Sequence, residues 1–381
     1  MISYLLKPNI EILNLFKLAS GDEISIQIYK FIGQKSDKKV YIQSNLHGSE
    51  IVGNAVIHQL INFLSTLNKS QVNGEIWLVP VCNPLGTNQR NHFFSSGRFN
   101  SYDGKDWNRI FWDYEKVLSD LEDFVKNNLN FDYLTIQKNF LKQQKIVFSE
   151  HVKKIQSSSS APLFEQYRYK LQSLAMDANY LIDIHSSSNK CIDYLFSFPG
   201  TQQENAAYFK LNYGVLMDTF NGNSFDEAFL KPWLALQKEF KRLGKEIEID
   251  RESWTLELGS GMEMEPKSVS VGFSGIKNYL VQKEILKLYD YSLNKTKIEL
   301  VPREKIKNYY APTGGMIQNR LSLKTQVKEG DRLYQIISFN KHGNLPEVIN
   351  ITAEKDGFIF DLSTNFSVNQ GEYVLSIFSL N

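Results

Sequence analysis

The stretch from Val40 to Val81 constrains the fold more than any other part of the chain. Val40–Leu46 is an apolar, strand-like run that stops at His47-Gly48. Residues 51–67, IVGNAVIHQLINFLSTL, then carry apolar side chains at helical spacing, and Glu75–Val81, EIWLVPV, is another apolar run closed by Asn83-Pro84. Strand, helix and strand in succession bury their apolar faces as layers of helix on sheet. The alternating run ISIQIYKFI at 24–32 and the short runs Tyr180–Ile184 and Ser253–Leu258 supply more strands. The expected fold class is therefore α/β, a mixed central sheet flanked by helices.

A length of 381 residues predicts two or three domains, and an apolar fraction of 42% is enough for a substantial core. Residues 113–178 read as mostly helical, with a break at the serine run 157–160 and Ala161-Pro162. A further helix is expected over 275–294. Beyond about 298 the texture changes to short β-like runs separated by Gly314-Gly315, Gly330-Asp331, Asp356-Gly357 and Gln370-Gly371. Two halves of this part echo each other, APTGGMIQN…VKEGDRLYQI and TAEKDGFIFD…VNQGEYVLSI. The expected division is a catalytic α/β domain at 1–297 and a small all-β domain at 298–381.

With 43 basic and 42 acidic residues the formal net charge is +1. That balance gives no reason to expect nucleic acid or an acidic membrane as partner. The first residues are interrupted by Lys7, Pro8, Asn9, Glu11, Asn14 and Lys17, unlike a secretory signal, and no apolar run is long enough to span a bilayer. The expected location is cytoplasmic. Cys82 and Cys191 form neither a disulfide framework nor a zinc ribbon and are expected to be buried thiols.

Three polar clusters stand at strand ends: His47-Gly48-Ser49-Glu50, Asp183-Ile184-His185 and Thr255-Leu256-Glu257-Leu258-Gly259. Open α/β sheets build ligand sites at that edge. Imidazole nitrogen and carboxylate oxygen both suit zinc. Gly48 would let the backbone turn so that His47 and Glu50 reach one point. His47, Glu50 and His185 are the candidate ligands for one Zn2+ per chain, and such a set leaves the fourth tetrahedral position to water. Glu257 is the candidate general base. Strand alternation sends its neighbours Leu256 and Leu258 to the opposite face. Each cluster alone is weak, since a histidine at a strand end is more often hydrogen-bonded surface than ligand. His58, His92, His151 and His342 are given that ordinary reading, and only the combination separates the three clusters from them.

Residues from about 38 to 280 resemble the catalytic domain of the succinylglutamate desuccinylase/aspartoacylase family, within the zinc carboxypeptidase-like group. The motifs that carry the resemblance appear in order: NLHGSE, VPVCNPLGTNQR, DGKDWNRIF, LIDIHSSS and TLELGSG. The resemblance implies a carboxypeptidase-like fold, zinc on His47, Glu50 and His185, and water activation by Glu257. It also implies that Arg90 stabilises the oxyanion, that Asn108 and Arg109 hold a substrate carboxylate, and that Asp106 hydrogen-bonds a ligand imidazole, His47 first. The C-terminal part resembles the biotinyl/lipoyl-like fold but lacks the modified-lysine tip, and Lys355 reads as a surface lysine.

The residue types agree with these roles. The planar fork of Arg109 matches a carboxylate, although an isolated arginine more often ends in a surface salt bridge. Asp183 is a weaker candidate for orienting a histidine, and Arg98 a guess for a second substrate carboxylate. Ser186–Ser188 are candidates for lining the pocket. The expected activity is hydrolysis of the amide bond of an N-acyl amino acid or related carboxylate-bearing small molecule. A metallocarboxypeptidase acting on a short peptide or cell-wall peptide is the alternative, and an inactive binding or scaffold protein is the alternative of another class. The latter predicts a missing ligand or base, and none is missing. The role of 113–178 and assembly into a homo-oligomer stay open at this point.

Overall fold

The structure, a computed structural model, describes residues 5–117, 120–220 and 223–379. Its centre is a nine-stranded mixed sheet. In chain order the strands are β1 (Asn9–Lys17), β2 (Glu23–Ile32), β3 (Gln34–Ser44), β4 (Asn73–Val79), β5 (Tyr180–Ser187), β6 (Tyr194–Ser197), β7 (Tyr213–Leu216), β8 (Glu252–Ser260) and β9 (Glu299–Pro302). Across the sheet they run β1-β2-β4-β3-β5-β8-β6-β7-β9. β4, β3, β5 and β8 are mutually parallel, and β6 enters antiparallel to β8. The C-terminal ends of β3, β5 and β8 therefore meet at one edge.

Alternation along these strands feeds two cores. Val40, Ile42, Ile182, Ile184, Leu256 and Leu258 pack under the helices Val52–Leu64 and Pro266–Gln282. Tyr41 and Leu181 face the other side, where Tyr167 and Leu171 of helix Leu163–Ala175 and Phe225 of helix Phe225–Arg242 cover them. The helical stretch expected over 113–178 resolves into Leu121–Asn128, Tyr133–Gln156 and Leu163–Ala175. Val125, Ile136 and Phe140 from the first two form a separate cluster with Trp233, Leu236 and Phe240. This layer packs on the helix Phe225–Arg242, whose N-terminus reaches the functional site.

The helix expected at 275–294 is instead Pro266–Gln282. Gly272 and Gly275 argue against helix on propensity. Tertiary packing overrides this: a Cβ on Gly275 would lie 2.0 Å from the Phe209 carbonyl oxygen, and one on Gly272 would lie 2.5 Å from Leu258 Cδ1. Proline at the first helical position starts the helix, and Glu284, at φ +59°, stands just past its end. Beyond 303, two antiparallel sheets enclose a third core that includes Leu333, Tyr334, Ile336, Val374 and Leu375. The main sheet continues to Pro302, just beyond the division expected near 297. The small strand Lys190–Cys191 pairs with Gly357–Leu362, tying the C-terminal sheets to the loop after β5. Among the described residues no helix is long and apolar enough to cross a membrane.

Candidate metal centre and active-site cavity

The first cluster is shaped by a residue that carries no chemistry of its own. Asn45, buried at the end of β3, takes a left-handed conformation with φ 66°. Its amide Nδ2 donates to the carbonyls of His47 at 3.0 Å, Gly48 at 3.2 Å and Glu50 at 3.2 Å, and its Oδ1 accepts from Thr87 Oγ1 at 2.5 Å. One side chain thus folds the His47–Glu50 loop. Asparagine tolerates that backbone and can cap its own loop, which is the sequence signal that would have singled it out. A Cβ on Gly48 or Gly97 would lie 2.0 Å from the Gly86 carbonyl oxygen, so three loops meet where only glycine fits. Gly97, at φ +82°, then delivers Arg98.

His47, Glu50 and His185 converge. Their donor atoms lie within 4.8 Å of one another, and all three residues are buried. The Glu50 carboxylate stands between the imidazoles, Oε1 at 2.9 Å from His47 Nδ1 and Oε2 at 2.8 Å from His185 Nδ1. The Ser186 amide also donates to Oε2, at 3.3 Å. Burial alone would raise the Glu50 pKa, but the two histidines outweigh it and hold the carboxyl well below its usual range. Burial opposes a charged imidazole too, yet Glu50 and Asp106 raise His47, and Asp183 and Glu50 raise His185 further. Two imidazole nitrogens and a carboxylate at this spacing fit a divalent cation with tetrahedral N/O preference.

Both histidines have a carboxylate behind them. Asp106 Oδ1 is 2.9 Å from His47 Nε2, as the resemblance implied. Asp183 Oδ2 is 3.1 Å from His185 Nε2 as an ion-pair contact, without the alignment of a hydrogen bond. Asp183 Oδ1 in turn accepts from Gln43 Nε2 at 3.1 Å, and Tyr41 Oη donates to Gln43 Oε1 at 3.0 Å. Carboxylates in this position fix a ligand imidazole's orientation.

Glu257 pairs in register with His185 across β8 and β5, and with Tyr194 across β8 and β6. Its side chain reaches the cavity, and its Oε2 is shut from solvent with no hydrogen-bond partner. Burial raises its pKa to about 7 against the pull of His185. A carboxyl group with a pKa near neutrality in a cleft is poised to accept a proton.

The arginines divide differently from the sequence expectation. Arg90 lies exposed and folds onto its own loop, with Nη1 donating to Thr87 O at 2.5 Å and Gln89 O at 3.0 Å. It is not among the residues lining the cavity. Arg98 is there instead, with Nη1 at 3.4 Å from His47 Nδ1 and 3.6 Å from Glu50 Oε1, and Nε at 3.2 Å from Asp106 Oδ2. Arg109 lines the cavity and gives one donor to the Asn108 carbonyl at 2.7 Å. Asn108 lines it too, but its Oδ1 accepts from Phe225 N at 2.9 Å, joining this loop to the start of the helix Phe225–Arg242.

These groups bound a cavity of about 450 Å³. The same wall includes Ser186–Ser188, Asp226 and Glu227 at the start of the helix, and Tyr194, Phe196, Phe198 and Met217. None of the last six was singled out in the sequence, because they come from strand and loop positions without motif character. The loop after His185 is held from the C-terminal sheets, where Asp361 accepts from Ser187 Oγ at 2.7 Å and Asn189 Nδ2 at 3.1 Å.

Residues 36–282 match the family model of the succinylglutamate desuccinylase/aspartoacylase catalytic domain. No protein of curated function matches the chain in sequence. Among solved structures, a succinylglutamate desuccinylase/aspartoacylase-type protein of Shewanella frigidimarina is 25% identical, with a TM-score of 0.87 over 99% of this chain and 98% of that one. Another from Shewanella amazonensis is 26% identical, with a TM-score of 0.86 over 98% and 99% of the two chains. The ectoine utilization protein EutE of Ruegeria pomeroyi, 16% identical, shares the fold with a TM-score of 0.69 over 98% and 95%. With its catalytic-domain match covering residues 36–282 and all three polar clusters, the chain belongs to the succinylglutamate desuccinylase/aspartoacylase family of hydrolases.

Proposed function

We propose that the protein is a zinc-dependent amidohydrolase that removes the acyl group from an N-acyl amino acid. The observation that carries this reading is the buried His47–Glu50–His185 set with an unpartnered carboxylate oxygen of Glu257 on the neighbouring strand. His47, Glu50 and His185 would hold the ion, and zinc in such a site polarises a carbonyl and acidifies water. Glu257 Oε2 accepts the proton of the attacking water and returns it to the departing nitrogen. The Arg98 guanidinium, beside Glu50, takes the oxyanion role that the resemblance implied for Arg90. Arg109 anchors the substrate carboxylate through its fork. Asp106 and Asp183 hold the imidazoles in place, and Asn108 fixes the Arg109 loop to the helix Phe225–Arg242.

A cavity of about 450 Å³ is of the size that takes a small molecule, which supports the deacylation reading. The test is a hydrolysis screen of zinc-loaded protein against N-acetyl, N-succinyl and N-formyl amino acids and short peptides. Release of amine from an N-acyl amino acid, abolished by chelation and restored by Zn2+, is the expected result. Cleavage of peptides alone would replace this reading with the carboxypeptidase one.

A further inference from the structure

The register of three strands lays out what stands beside the scissile bond. Across β5, β8 and β6, His185, Glu257 and Tyr194 form one row on the cavity face of the sheet. Asp183, Thr255 and Phe196 form the next. Neighbouring strands lie roughly 4.8 Å apart. A substrate whose reacting carbonyl sits near His185 and Glu257 therefore extends, within one strand spacing, over Tyr194 and Phe196. Alternation fixes this face, since Leu195 between them points into the opposite core. Phe198 and Met217 continue the wall, and Phe198 is itself held by a stack on Phe220 with centroids 4.5 Å apart.

Charge around this wall is one-sided. Among the described residues lining the cavity, Arg98 and Arg109 are the only arginines, and there is no lysine. Arg98 is turned to Asp106, Glu50 and the proposed oxyanion position, which leaves Arg109 to receive a carboxylate. Beside the aromatic wall stands a carboxylate, not a cation: Asp226, buried, accepts from Thr255 Oγ1 at 2.6 Å and from Ser224 Oγ at 2.6 Å. Thr255 is the register partner of Phe196, so the Asp226 charge lies next to the place where a substrate side group would rest. A second substrate carboxylate there would lose its water and meet a like charge in a low-dielectric cleft.

Resting on the deacylase reading above, we propose that the substrate carries a single carboxylate, bound by Arg109, and lays an uncharged apolar group on Tyr194, Phe196, Phe198 and Met217. A substrate that brings a second carboxylate to this wall is excluded by the charge of Asp226. The apolar group belongs either to the amino-acid side chain or to the acyl group, and the two sources are separable by experiment.

The test is kcat/KM of zinc-loaded protein on a matched series. N-acetyl-phenylalanine and N-acetyl-leucine place the apolar group in the side chain, N-phenylacetyl-glycine places it in the acyl group, and N-acetyl-aspartate and N-acetyl-glutamate are the dicarboxylates. At least one apolar arm is expected to exceed both dicarboxylates by about tenfold or more. Phe196→Ala should narrow that ratio, and Phe196→Arg should move it toward the dicarboxylates. Equal or better turnover of a dicarboxylate by the wild type overturns the inference and leaves the deacylase reading intact. If no member is hydrolysed, the deacylase reading fails, and binding decides the inference instead. Calorimetry on the metal-free protein should then detect phenylalanine or N-phenylacetyl-glycine more tightly than aspartate or glutamate. Preference for the dicarboxylates, or no binding of either kind, overturns it.

Discussion

Glu257 lies directly opposite His185 in the register of two parallel strands, so the buried candidate base and a candidate ligand share one face of the sheet with one strand spacing between them. The ladder runs in register from Glu252/Tyr180 to Glu257/His185 and shifts only beyond this pair, before Ser260. A base placed this way is not adjustable by loop motion.

Replacement of that base separates chemistry from binding. Glu257→Gln keeps the shape and removes the proton acceptor. Turnover should fall by at least ~100-fold while zinc content stays at the wild-type level. Single-turnover hydrolysis with metal analysis in parallel checks this, and wild-type turnover at full metal occupancy would give the role to another residue. Glu263 and Glu265, beyond the turn at Gly261, should tolerate the same change with little effect.

Metal affinity should rise with pH. In the metal-free protein His47 and His185 have pKa values raised above the usual imidazole range by Glu50, Asp106 and Asp183, against the effect of burial. A cation binds only neutral imidazole, so uptake displaces protons. Lowering the pH populates the charged imidazoles and weakens zinc; raising it through their pKa strengthens zinc. Titration calorimetry in buffers of differing ionisation enthalpy should report net proton release. His47→Ala/His185→Ala should abolish the stoichiometric zinc, and full occupancy in that double variant would remove the assignment.

The two arginines give opposed expectations. Arg98→Ala should reduce kcat by on the order of 100-fold, the scale of losing an oxyanion donor. Arg90→Ala changes an exposed side chain bonded to its own loop and should leave kcat within a few-fold of wild type. The reverse ranking would restore the role to Arg90. Arg109→Ala should cost about 2–5 kcal/mol in kcat/KM on a carboxylate-bearing substrate, and Arg109→Lys should not recover it.

Gly275→Ala sets helix propensity against packing. Propensity alone favours alanine by about 1 kcal/mol in a helix interior. The close approach of the Phe209 carbonyl, 2.0 Å from the added Cβ, predicts destabilisation by roughly 1–3 kcal/mol instead. Thermal or denaturant unfolding decides the sign.

The same contest explains what could be read in the sequence. The strands that carry the candidate ligands were legible because apolar runs such as Tyr180–Ile184 stop at polar residues, and the nine-stranded sheet places those ends together. The helix Pro266–Gln282 was read too late in the chain because Gly272, in its first half, looks like a helix breaker until its close contact with Leu258 is known. Arg98 and Arg90 lie in one connecting region with no periodicity to separate them. Only the packing of Gly48, Gly86 and Gly97 brings Arg98 to Glu50. The aromatic wall was equally hidden, since Tyr194 and Phe196 become cavity residues only through their register with Glu257 and Thr255.

The pairing of Lys190–Cys191 with Gly357–Leu362, together with the Asp361 contacts to Ser187 and Asn189, has a consequence for how the protein comes into being. The candidate ligands and base, the last of them Glu257, all precede Gly357–Leu362 in the chain, so the strand that steadies the loop behind His185 is synthesised after every one of them. A nascent chain therefore carries every candidate reactive group before it carries the strand that holds Ser187 and Asn189 in place.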